Sequence, residues 1–183
     1  MPPAIKDNLQ GPRLLLREPR EGDVADRLAL GNTPEIQRMF GADPAQTREL
    51  TEDAARGWVE FQKREAWGWI IDLDGRCIGN IRLHTLNLAD ERANMAIAIL
   101  DPDLLGQGLG GEAMRLVADY AFGPMGLHRL SMRVLSFNTR AIAAYRKLGF
   151  VEEGVERESA LIGGTRHDDI IMGLLARDFT GAP

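Results

Sequence analysis

The spacing of apolar residues changes along this chain, and each change marks a different kind of element. From Leu50 to Arg64, Ala54, Trp58 and Phe61 recur at intervals of four and three, which is one face of a helix. Shorter helices are predicted over Glu21–Asn32, where Asp23 can cap and Val24, Leu28 and Leu30 give an apolar side, and over Pro34–Phe40. Ahead of them, "RLLLREP" reads as a short strand stopped by Pro19. The period then shortens to two. "WGWIIDLDGRCIGNIRLHTL" holds two β-rich runs around Asp72-Leu73-Asp74-Gly75, a hairpin turn, and "RANMAIAIL", Arg92–Leu100, alternates before becoming wholly apolar and stopping at Asp101-Pro102. A helix over Leu109–Phe122, a strand over Arg129–Leu135, a helix over Thr139–Leu148 and two strands around Gly163-Gly164 complete the pattern.

Strands and helices mixed in this order predict an α/β domain, with no internal repeat and no linker rich enough to divide it. Residues 1–12 are polar and rich in Pro and Gly, an arm, and residues 13–179 form a single domain. A chain of 183 residues is long enough to bury a full core without staples. Its net charge of −5 argues against non-specific nucleic-acid binding and suits cationic small partners. Cys77 is the single cysteine, so neither an intramolecular disulfide nor a cysteine zinc cluster is available. No apolar run approaches the roughly 18 residues of a membrane span, and the N-terminus lacks a signal-peptide core, so a cytoplasmic protein without membrane contact is expected.

The candidate chemistry starts at "LLGQGLGGEAMRLVADYAF", where Gly106, Gly108, Gly110 and Gly111 run into a helix. Backbone N–H groups and a helix N-terminus welcome an anion, so the loop reports charge without naming a cofactor. A mononucleotide loop needs Lys-Ser/Thr at the helix start, and here Glu112 follows Gly111. A dinucleotide site needs an acidic residue at the end of the next strand, and that strand ends in Leu135-Ser136. Both readings fail at their second requirement.

A different second element is present one helix downstream, "NTRAIAAYRKLGF". With it, the chain resembles the Gcn5-related N-acetyltransferase (GNAT) family from "RLLLREPREGD" to the closing "GVERESALIGGTRHDDIIMGLL". It looks most like the branch of ribosomal-protein N-terminal alanine and spermidine acetyltransferases. The resemblance implies a mixed, mostly antiparallel sheet of about seven strands with about four helices, split between strands 4 and 5 by the cofactor. It implies acetyl-CoA as co-substrate, no metal, and an amine acceptor: a peptide N-terminus, a polyamine or a small amine. A homodimer is compatible with it. Leu105-Gly106-Gln107-Gly108-Leu109-Gly110, followed by Gly111, matches the family's pyrophosphate loop except at Leu105, where Arg or Gln is usual. Main-chain groups at Ala98, Ile99 and Leu100 would hold the pantetheine, with a backbone N–H polarising the thioester carbonyl.

By the same resemblance Asn138 bonds the pantetheine arm and Tyr145, seven residues on and on the same helix face, serves the sulfur as acid. Ala141 stands where some relatives carry serine, which puts more weight on Tyr145. For the base, Glu91, Asn94, His84 and His128 lie on or near the central strands; Glu91 is the named candidate, beside a water-mediated route. The acceptor would enter between the first two helices and the last hairpin, near Glu35, Glu158, Asp168 and Asp169. Trp58, Trp67 and Trp69 are expected in packing. Arg157 and His167 are expected in a structural salt link, and Arg140, Arg146 and Lys147 on an exposed helix face. The rival reading is a non-catalytic acyl-CoA sensor, supported by Leu105 and by the unassigned base.

Overall fold

Side chains alternate across a strand, so Trp69 and Ile71 leave one face of β3 (Gly68–Leu73) while Ile70 and Asp72 leave the other. Trp69 meets the ring of Tyr120 edge-on at 5.8 Å, which puts α4 (Leu109–Phe122) on its side. Asp72 meets Arg17, which is bound to Asp23 of α1 (Asp23–Leu30), so α1 covers the opposite side. α3 (Glu52–Arg64) packs on α1, and α5 (Thr139–Leu148) packs beside α4. The sheet between these layers completes the α/β architecture expected of the sequence. The structure, a computed structural model, describes residues 6–181.

The remaining strands are β1 (Leu9–Gln10), β2 (Leu14–Arg17), β4 (Arg76–Asn87), β5 (Arg92–Ile99), β6 (Arg129–Leu135), β7 (Val151–Ile162) and β8 (Thr165–Leu175), and α2 (Pro34–Met39) follows α1. The eight strands form one sheet in the order β1-β2-β3-β4-β5-β6-β8-β7, antiparallel throughout except between β5 and β6. Both hairpin turns place successive residues at positive φ, Asp74 and Gly75 in one and Gly163 and Gly164 in the other, as two-residue turns demand. No described helix is long and apolar enough to cross a membrane.

Four expectations need correction. The arm contributes Leu9 and Gln10 as β1, paired with Leu16 and Leu15, which makes eight strands; residues 1–5 of that arm lie outside the described residues. There are five α-helices, one more than the resemblance implied. Asp23 does not cap a helix; it is fully buried against Arg17, and Leu28 on the same helix is 37% exposed while Arg27 is buried. In α3 the buried face is Ala55, Val59 and Gln62, one residue on from Ala54, Trp58 and Phe61. Trp58 and Phe61 instead lie under the guanidiniums of Arg27 and Arg82, a use of aromatic faces that periodicity does not distinguish from core packing.

β5 and β6 separate. They pair only from Arg92–Asn94 to Arg129–Ser131, and beyond that β6 stays with β8 along its full length while β5 stays with β4. The joined end is closed by the Glu91 carbonyl, which accepts from the N–H groups of His128 (2.6 Å) and Arg129 (3.2 Å). The open end is a wedge that leaves strand backbone without a strand partner.

Candidate active site

Which backbone groups face the wedge follows from the register. Leu100 donates its N–H to Ile78 of β4 at 2.8 Å, and Leu83, opposite Met95, donates away from β5 to Trp67. In an antiparallel ladder the direction alternates, so Ala96, Ala98 and Leu100 turn their N–H and C=O to β4, while Ile97 and Ile99 turn theirs into the wedge. Of the three expected main-chain positions only Ile99 therefore faces the wedge, with Ile97 beside it; Ala98 and Leu100 face β4. Gly79 makes this close pairing fit, because a Cβ there would overlap the Ala98 carbonyl.

The wedge opens into a cavity of about 1,100 Å³ that runs through the sheet. At one end it meets the glycine loop. Gly106 and Gly108 hold φ of +79° and +80°, conformations natural to glycine, and Gly108 sits where α4 begins. The N–H groups of the first turn of α4 have no partner within the helix, so they face outward as anion donors. Gly110 faces the side chains of Ile97 and Ile99, so the first turn of α4 lies beside the wedge. Leu105, Gly106, Gly108, Leu109, Gly110 and Gly111 all line the cavity, but Gln107 turns its amide back to the Asp103 carbonyl at 2.8 Å.

Glu112, an anion in the first turn of this same helix, is disarmed by its direction. Its carboxylate accepts from the N–H groups of Arg13 (2.9 Å) and Leu14 (3.0 Å) and from the Arg13 guanidinium (2.8 Å), while Arg13 also donates to the Gln107 carbonyl. Burial opposes the charge, yet these donors outweigh it and hold the Glu112 carboxyl below its ordinary range. A lowered carboxyl pKa stabilises the fold above the unfolded value and is lost as pH falls through the folded one. Glu112→Gln is expected to cost about 1–3 kcal/mol near pH 7. It should also raise KM for acetyl-CoA while sparing kcat, and the difference in Tm from wild type should shrink below about pH 4. Thermal melts across pH, paired with initial rates, check both.

Asn138 and Tyr145 come together as their spacing implies, both lining the cavity with Ala141. Asn138 caps α5 with its Oδ1, which accepts the Ala141 N–H at 3.2 Å, so its Nδ2 remains as a donor. Tyr145 is 8% exposed and packs 6.1 Å from the ring of Phe150. Burial alone pushes its phenol up to about 12. Such a group stays protonated at any working pH, and its residue lines the cavity.

The candidate bases divide. Glu91 does not line the cavity; its exposed residue sits at φ +50° on the closed end, where its backbone does the work. His128 is likewise outside, but His84 and Asn94, directly opposite one another on β4 and β5, both line it. Cys77 is buried away from the cavity with its thiol pushed up to about 12 by desolvation.

At its other end the cavity is lined by Ile36, Met39 and Phe40 of and beside α2 and by Glu156 and Asp169 of the last hairpin; α1 does not line it, and of the four carboxylates expected there only Asp169 does, while Glu35, Glu158 and Asp168 do not. Its carboxylates are already paired. Arg133 bonds Asp169 at 2.5 Å and Glu156 at 3.3 Å, and Asp169 also accepts from Ser159 at 2.7 Å. Glu35 faces Arg140 at 3.6 Å, and Asp168 accepts the Glu158 N–H. Arg146 pairs with Glu152, and Lys147 reaches the cavity. Trp67 and Trp69 pack on Tyr120, so none of the three tryptophans lines the site. Arg157 and His167 form no salt link among the described residues; His167 instead meets the Phe137 ring edge-on at 4.8 Å.

The family model described as an acetyltransferase (GNAT) domain matches residues 13–151. The spermidine N(1)-acetyltransferase of Escherichia coli K12 is 28% identical over 150 residues, covering 82% of this chain and 79% of its own. YdaF of Bacillus subtilis, named as a candidate ribosomal N-acetyltransferase, is 26% identical over 172 residues, 91% of this chain and 92% of its own. In structure, the Vibrio cholerae spermidine N-acetyltransferase solved with CoA and spermine superposes with a TM-score of 0.75 at 24% identity, covering 92% of this chain and 98% of that one.

Proposed function

Because the chain belongs to the GNAT family of acetyltransferases, an acyltransferase with acetyl-CoA as its co-substrate, we propose that it acetylates a singly charged primary amine by direct attack. Acetyl-CoA supplies the activated acetyl thioester. Around it, the free N–H groups of the α4 first turn suit the diphosphate, and the wedge-facing groups of Ile97 and Ile99 with Asn138 Nδ2 suit the amides of the pantetheine arm. The observation that carries the reading is Tyr145, a buried phenol that lines the cavity and has no side-chain hydrogen-bond partner among the described residues. It holds a proton for the departing sulfur. No covalent enzyme intermediate is needed, and the only cysteine is buried outside the cavity.

The acceptor class rests on charge. Relatives of this chain are named for spermidine, and a polyamine carries several positive charges that need unpaired carboxylates. Here Glu156 and Asp169, the two carboxylates that line the cavity, already share Arg133, so the acceptor end offers little uncompensated negative charge. A peptide N-terminus or a small monoamine fits that environment better. Thiol release from acetyl-CoA, measured over peptides, monoamines, amino sugars and spermidine, tests the choice. A monoamine or peptide should exceed spermidine in kcat/KM by about tenfold, roughly 1.4 kcal/mol of discrimination. Spermidine as the fastest acceptor would overturn this assignment.

A further inference from the structure

Resting on the amine-acetylation reading, we infer that His84 is the catalytic base, receiving the acceptor's proton at Nε2. Two features of the backbone and one side-chain hydrogen bond converge on this residue. The β4–β5 register slips between His84 and Asn87, and a bulge of this kind re-aims the side chains beside it. Thr85, the next residue, is held at φ +51°, a conformation that a β-branched residue adopts only under constraint. Its Oγ1 lies 3.0 Å from His84 Nδ1, so it can take the Nδ1 proton and leave the Nε2 lone pair available.

The alternation that sends Ile97 and Ile99 toward α4 sends Asn94, and with it His84, to the opposite face of the sheet. Met39 and Phe40 of the acceptor end line the same cavity as His84 and Asn94. Glu91 has no comparable position. The ionisable groups near His84 are Arg82 on its own strand and Glu65 at the end of α3, which pair at 3.3 Å, and across the cavity Arg133 with Glu156 and Asp169. Desolvation, then the charge of Arg82, lowers the His84 pKa from its ordinary value of 6.5, against a smaller opposing effect of Glu65. The imidazole is therefore neutral at pH 7, the form that accepts a proton.

The proton count closes. The acceptor ammonium gives one proton to Nε2, which passes it to solvent. As the C–N bond forms and the C–S bond breaks, the sulfur takes the Tyr145 proton, and the second proton shed by the new amide nitrogen restores the phenol. One proton leaves per turnover.

The test is a pH–rate profile of wild type, His84→Gln and His84→Ala with the acceptor found by thiol release. Wild-type kcat/KM should fall as pH drops below 6.5, since the base must be neutral. His84→Gln should lose about 100-fold at pH 7 and lose that acidic limb, with KM for acetyl-CoA within about threefold. Added imidazole should restore part of the rate of His84→Ala, which a folding defect would not allow. Thr85→Gly, which relieves the positive φ, should keep or raise Tm while slowing turnover, and Thr85→Ser should retain the rate. A His84→Gln enzyme with wild-type rate and acidic limb would overturn the inference and leave the amine-acetylation reading standing. Absence of acceptor-dependent release by wild type would overturn both.

Discussion

Tyr145→Phe is expected to lower kcat at least about tenfold while KM for acetyl-CoA stays within about threefold, because only the hydroxyl is removed and the ring packing survives. The ring remains seated against Phe150 in the core, so the variant should fold with near-native Tm. The sign of the pH dependence follows from burial. A phenol raised to about 12 remains an acid through the whole working range, so its deprotonation produces no alkaline limb between pH 8 and 10. An alkaline fall in that interval that disappears in Tyr145→Phe would contradict the assignment, as would an unchanged kcat. Steady-state rates for both enzymes over pH decide it.

The second large effect lies far from the cavity. Asp23→Ala is expected to destabilise the fold by about 3–5 kcal/mol, since it strips a buried arginine of half its compensation. Arg17 is held between Asp23 at 2.7 Å and Asp72 at 2.5 Å, and all three side chains are at most 7% exposed. Desolvation works against the guanidinium charge, but the bonds to Asp23 and Asp72 outweigh it and raise the pKa of Arg17 above its usual value. Asp23 also accepts the Arg20 N–H, and Asp72 accepts the Gly75 N–H, so the cluster ties β2, the start of α1 and the β3–β4 turn into one unit. A loss of this size is a large share of a typical 5–15 kcal/mol total, and it should lower Tm by roughly 6–20 °C. Activity per folded molecule should be unchanged, because none of these residues lines the cavity. A Tm within about 2 °C of wild type would show that the cluster is a passive surface of the core.

Both experiments probe features that were unequally visible in the chain itself. Tyr145 was legible because its relation to Asn138 is local: seven residues of helix fix their common face whatever surrounds them. The glycine loop was legible for the same reason, since φ near +80° at Gly106 and Gly108 is a property of single residues. Asp23 looks like a cap in the sequence because it stands near a helix start, and local pattern does not show Arg17 and Asp72 arriving from two strands.

What the sequence by itself determined is every helix, seven of the eight strands and both two-residue turns; β1 exists only through its pairing with β2. α4, α5 and β6 begin and end where periodicity and capping put them, because those signals are exhausted within a few residues. Only the tertiary structure decided which atoms of those elements are free. Ile97 rather than Ala98 faces the wedge because the pairing of β5 with β4 sets the direction of each N–H, and a one-residue change would reverse it. Glu91 went to the closed end and His84 to the cavity because β5 and β6 join at one end alone. The acceptor carboxylates lost their free charge because Arg133 of β6, in register with Ile171 of β8, reaches sideways to Asp169 and Glu156, residues far from it in the chain. Each of these outcomes depends on partners distant in the chain, and local pattern carries no record of them.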